Sequence, residues 1–225
     1  MIGNQNTITH LFDFATSNSL EIEESNFSAT LHYWQSEPLS FNPLIATTYT
    51  GFVLNGNATI RTSRSNFTLE AGMYFSLAEA FELSTDGTGF LVAQNEVKNL
   101  FQIGGPIEEK GRLQYIDGCT DTLLISPVIL GNPCLNLLHI PPQVFQSQHT
   151  HPSFRVGIIV SGKGACITPE ETFELHPGQV FYIPKDSIHS FKTTDQALRV
   201  IAYHPDSDFG PTHEDHPMIN RTILS

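Results

Sequence analysis

The sequence predicts an all-β protein made of two related domains, and three observations predict it. Short apolar or alternating runs at residues 51–54, 67–77, 123–130, 156–160 and 180–183 are bounded by Gly, Pro, Asn or Asp, the punctuation of strands and turns. No stretch carries a long helical period. The best helix candidate, Leu77-Ala78-Glu79-Ala80, follows Gly72 and sits in aromatic alternation, so residues 73–83 read as a strand and a turn. The third observation is an internal repeat, which sets the domain count better than the length of 225 residues does.

Sliding the chain by 106 positions lays Gly51-Phe52-Val53-Leu54-Asn55-Gly56 on Gly157-Ile158-Ile159-Val160-Ser161-Gly162. Without a gap, Thr62 then meets Thr168, Phe67 to Gly72 meets Phe173 to Gly178, and Phe75 meets Phe181. Glycines paired at equal separation mark tight turns that a Cβ would obstruct, so the repeat preserves backbone geometry as well as composition. The Gly-, Pro- and charge-rich stretch Gly104-Gly105-Pro106-Ile107-Glu108-Glu109-Lys110-Gly111 is the natural linker, dividing the chain into domains 1–105 and 106–225.

Charge and composition exclude several roles. Eleven Lys and Arg against 23 Asp and Glu give a net charge of −12, which offers no basic surface for a nucleic acid or an anionic membrane. No apolar run approaches the roughly 18 residues of a spanning helix, and the first residues lack a secretory pattern, so a soluble cytoplasmic protein is expected. Cys119, Cys134 and Cys166 lack CxxC spacing and read as buried thiols.

The chemistry concentrates in the second repeat. His149 and His151 alternate on an extended segment after Pro141-Pro142, so both rings face one side and can share a metal. A third histidine, His189, follows the turn after Gly178-Gln179-Val180-Phe181-Tyr182-Ile183-Pro184. From His151, three residues lead to Arg155 and six more to Gly162; fifteen separate Gly162 from Gly178, and five separate Gly178 from Pro184. This pattern resembles the two motifs of the cupin superfamily, and through the 106-residue offset the whole chain resembles a bicupin. The resemblance implies two tandem jelly-roll β-barrels and a divalent metal on His149, His151 and His189, with Fe(II) the first candidate and Zn, Ni or Mn the others.

Three departures from the family pattern shape the reading. Arg155 stands where the family places a metal-binding Glu, and a cation cannot ligate a metal. Asp186 replaces a turn glycine, a mild change because Asp tolerates turn conformations. In the first repeat, Pro43, Ile45, Tyr49 and Leu83 occupy the four ligand positions, so that domain is degenerate and metal-free.

Three neutral imidazoles leave an ion its full charge and open positions, which suits an oxyanionic substrate and then O₂. The resemblance implies a three-His non-haem iron dioxygenase acting on a small anionic molecule; a non-catalytic binder of an acid or sugar and a metal-dependent isomerase are the alternatives. Arg155, Tyr182 and Gln148 are the candidate groups beside the metal, with Arg155 facing inward on strand parity and pairing with an anionic ligand. The His- and Asp-rich tail reads as an irregular segment, a lid or an arm of a homodimer, with a second metal site on His213, Asp215 and His216 as the alternative.

Overall fold

The computed structural model describes residues 10–12, 19–24, 26–35, 37–127 and 129–207. The tail histidines His213 and His216 lie outside the described residues. The first half carries β1 (His10–Phe12), β2 (Ser19–Glu24), β3 (Phe27–Gln35), β4 (Leu39–Phe41), β5 (Thr47–Asn55), β6 (Asn57–Thr62), β7 (Asn66–Glu70), β8 (Tyr74–Leu77), β9 (Phe81–Thr85), β10 (Thr88–Asn95) and β11 (Gln102–Gly104). The second carries β12 (Leu113–Gln114), β13 (Thr120–Ile125), β14 (Cys134–Ile140), β15 (Arg155–Ile167), β16 (Thr172–Leu175), β17 (Val180–Ile183) and β18 (Ser190–His204). Among the described residues a single 3-10 turn, Ile116–Gly118, interrupts the β-structure, and no helix is long and apolar enough to cross a membrane.

These strands form an eight-stranded sheet in the order β1-β17-β15-β18-β14-β13-β12, with β16 on β15, a six-stranded sheet β11-β8-β5-β10-β3-β2, and a four-stranded sheet β4-β9-β6-β7. All pairings are antiparallel. The 106-residue repeat is visible in the register. Gly51 pairs with Phe75 as Gly157 pairs with Phe181, and in both halves the phenylalanine ring fills the space a Cβ on the glycine would need. Gly56 and Gly162 have φ of +67° and +89°, and Gly72 and Gly178 have +86° and +89°, so each pair makes the same left-handed turn.

The continuous apolar runs have a packing cause. Phe52 of β5 and Phe90 and Val92 of β10 turn one way, into a core shared with Leu135, Leu137, Val156, Ile158 and Ile201 of the second half. Their neighbours Val53, Leu91 and Ala93 turn the other way, into a core of the first half with Trp34, Tyr49, Phe75 and Phe81. Leu198 and Val200 of β18 likewise face a core of the second half with Ile159, Phe181 and Phe191. Strands buried on both faces lose the polar half of the alternation. Each fully buried Leu, Ile or Phe contributes about 1.5–3 kcal/mol, so the shared core is what joins the halves. A polar contact completes the seam: the Tyr203 hydroxyl donates to the side chain of Gln94, whose amide donates to the carbonyl of Pro205 at 3.0 Å.

The first half also lends an edge to the second. β1, within the 1–105 span, pairs with β17 in the register His10 to Tyr182, whereas β11 closes on β8 of its own half.

Candidate metal centre

Two segments distant in sequence build the centre. The stretch before β15 carries His149 and His151, and the turn after β17 leads to His189; residues 149 and 189 form an isolated antiparallel bridge. The ligand-capable atoms of the three histidines all lie within 4.8 Å of one another, and the ring centroids are 4.5 to 5.1 Å apart. The Nδ1–H of His149 donates to the carbonyl of Ser147 at 2.8 Å, and that of His189 to the carbonyl of Ser187 at 2.9 Å. A carbonyl can only accept, so in both rings the proton sits on Nδ1 and the Nε2 lone pair is free to ligate. Burial, with the nearby Arg155 and histidine charges, pushes His151 down to about 3; burial first, then His149 and Arg155, pushes His189 down to about 4. Both rings are therefore neutral at physiological pH, the form a metal requires. The donor set is fit to hold a divalent Fe, Zn, Ni or Mn ion.

The three histidines open on a cavity of about 270 Å³. Leu138, Phe181, Ile183, Phe191 and Val200 make its apolar wall, and Arg155, His204, Asp121, Asn136 and Tyr115 its polar one. Arg155 is 8 % exposed and begins β15. Its Nη1 donates to the Ser153 carbonyl at 3.1 Å, the Ser153 hydroxyl at 2.7 Å and the Phe154 carbonyl at 2.9 Å, while the Ser153 hydroxyl donates to Asp206. Its Nε is buried with no hydrogen-bond partner. Burial disfavours the guanidinium charge, and Asp206 leads the groups whose fields favour it.

Two candidates fall outside this arrangement. Tyr182 does not line the cavity: Phe181 and Ile183 of β17 face it, so the intervening side chain points away, and its hydroxyl donates to Glu24 of the first half at 3.2 Å. Burial and the Glu24 carboxylate both raise the Tyr182 phenol. Gln148 alternates with His149 and is exposed outside the cavity for the same reason. Conversely, His204 lines the cavity with its ring 6.4 Å from that of His151, and burial, Arg155 and His151 hold it well below the usual imidazole range. Its parity with Val200 and Ala202 on β18 was the available signal.

Comparison with known proteins places this geometry. The AraC-like ligand binding domain family matches residues 133–216. No curated protein matches in sequence. A cupin 2 conserved barrel domain protein from Leptotrichia buccalis is 11 % identical with a TM-score of 0.61, and 92 % of each chain is covered. The chain shares the fold of this cupin protein. Within that fold it is also similar to a putative glyoxylate induced protein from Pseudomonas aeruginosa, 11 % identical over 92 % of this chain and 83 % of that one, TM-score 0.65. A salicylate 1,2-dioxygenase from Pseudaminobacter salicylatoxidans is 10 % identical over 90 % and 85 %, TM-score 0.65.

The two halves of the chain differ inside as their sequences do. Tyr49 and Leu83, equivalent to Arg155 and His189, are buried in apolar packing, where Phe41 stacks on Phe81 at 4.9 Å and both rings touch Tyr49. At the positions of Phe41 and Phe81 the second half has Ser147 and Ser187. Serine in place of two phenylalanines removes the bulk that fills the first half, and the backbone carbonyls of these serines orient His149 and His189.

Proposed function

We propose that this bicupin is a metal-dependent dioxygenase for a small organic acid, formed by two jelly-roll barrels of which 1–105 is metal-free and 106–225 carries the site. The observation that carries the reading is the convergence of three imidazoles, two of them with Nδ1–H held by a carbonyl, and of the Arg155 guanidinium on one apolar-walled cavity. His149, His151 and His189 would hold Fe(II), which would supply Lewis acidity and redox chemistry. Arg155, which lines the cavity, binds and orients the substrate carboxylate, while Nη1 is held in place by Ser153 and Phe154. Leu138, Phe181, Ile183 and Val200 hold the carbon skeleton and exclude water. The likeness to a dioxygenase named for salicylate supports an aromatic or other small acid as substrate. A cytoplasmic homodimer is part of the same proposal.

A second reading is favoured by the AraC-like match, which spans His149, His151 and His189: a ligand-binding module that holds its acid or sugar without turnover. Anaerobic loading with Fe(II), followed by oxygen-electrode measurements with benzoate, salicylate and short dicarboxylates, separates the two. The dioxygenase gives oxygen uptake dependent on both metal and acid. Saturable binding of an acid with no uptake across the panel would leave the binding module.

A further inference from the structure

The half without metal ligands reaches into the metal centre. We propose that Glu24, on β2 of the first half, is a positioning residue for His151 and His189; this rests on the reading of the three histidines as a metal site. Glu24 Oε1 accepts the backbone N–H of Lys185 at 2.8 Å and the hydroxyl of Tyr182 at 3.2 Å. Both donors belong to the segment that ends β17 and turns towards His189. The next N–H along, that of Asp186, donates to the carbonyl of His151 at 2.8 Å. The carbonyl of Ser187, one residue further, takes the Nδ1–H of His189 at 2.9 Å. One carboxylate oxygen thus holds a turn whose next two residues fix the backbone of one ligand and the ring of another.

The turn needs an outside anchor. Asp186 sits at φ +58°, a conformation that costs a residue with a Cβ, and its own internal tie, Ser187 N–H to the Pro184 carbonyl, is long at 3.3 Å. Lys185 and Asp186 are exposed, so packing does not hold them. The first half supplies the missing restraint twice: through Glu24 and through β1, which pairs with β17 up to Tyr182. The field of Glu24 also favours the charge on Arg155. Outer groups that orient metal ligands affect affinity by about 10–100-fold.

Full-length chain, stripped of metal, is titrated with Zn(II) and Co(II) against a competing chelator, and the Co(II) absorption spectrum is recorded. Glu24→Ala weakens both affinities about tenfold and changes the spectrum, while Glu24→Gln, which keeps an oxygen acceptor, stays within about twofold of wild type. Wild-type affinity and an unchanged spectrum in Glu24→Ala overturn the proposal, as does a Gln variant as weak as Ala. Should Glu24→Ala not fold, Glu24→Asp, one methylene short of Lys185, carries the test: a severalfold loss supports the role and wild-type affinity overturns it. Wild-type chain that binds neither ion refutes the metal site itself rather than the role of Glu24.

Discussion

His149 and His189, 40 residues apart in sequence, exchange both backbone hydrogen bonds at 3.0 Å. The bridge brings two imidazoles to 4.5 Å between ring centroids before any metal is considered, and each ring is locked by a carbonyl two residues earlier, Ser147 or Ser187. The centre is therefore preorganised by backbone rather than assembled by the ion.

Arg155→Gln removes the charge of a guanidinium that lines the cavity and whose buried Nε has no hydrogen-bond partner. A charge-assisted hydrogen bond contributes about 1.5–3 kcal/mol, so affinity for a bound monocarboxylate falls roughly 10–100-fold by calorimetry, with metal content unchanged. Equal affinity in the variant for every acid that binds wild type removes Arg155 from recognition.

Asp121 lines the cavity and accepts a hydrogen bond from Asn136 at 2.8 Å, yet burial raises its carboxyl to about 6 against an ordinary 3.8. A folded-state value above the unfolded one favours the folded chain only while the group is protonated. The relative advantage is complete below 3.8 and lost as pH rises through 6. Asp121→Asn keeps an oxygen for Asn136 and removes the ionisation cost, so urea denaturation shows a gain on the order of 1–3 kcal/mol at pH 8 that fades towards pH 4. A gain independent of pH would contradict this origin.

Gly51→Ala and Gly157→Ala test the duplication itself. Each Cβ would collide with the ring of the paired Phe75 or Phe181, and in Gly157 also with the carbonyl of Ile201. Overpacking of this kind costs about 1–3 kcal/mol or more, so both variants lose stability in thermal unfolding. One neutral and one damaging substitution would mean that the halves do not share this packing.

The sequence showed most where local spacing determines geometry. Equal glycine separations announced the repeat, and the alternation of His149 and His151 with the later His189 announced the centre. The same alternation applies to β17, where it puts Phe181 and Ile183 in the cavity and Tyr182 outside, with its hydroxyl on Glu24. Asp186 adopts the left-handed turn that its place in the motif demanded. Asp121 and Asn136 were not legible as site residues, because they reach the cavity through the registers of β13 and β14, which no local pattern fixes, whereas His204 shares the strand parity of Val200 and Ala202. Glu24 was further out of reach, since its partners Tyr182 and Lys185 lie across the seam between halves.

The most direct test of the metal centre is the metal content of full-length protein purified without a histidine tag, with His151→Ala beside it, by elemental analysis after dialysis. The structure predicts close to one divalent ion per chain in wild type, held by His149, His151 and His189, and loss of most of it in the variant, while the first half binds none at Pro43, Ile45 and Leu83. Stoichiometric metal retained by His151→Ala, or wild type that binds no divalent ion, would contradict it.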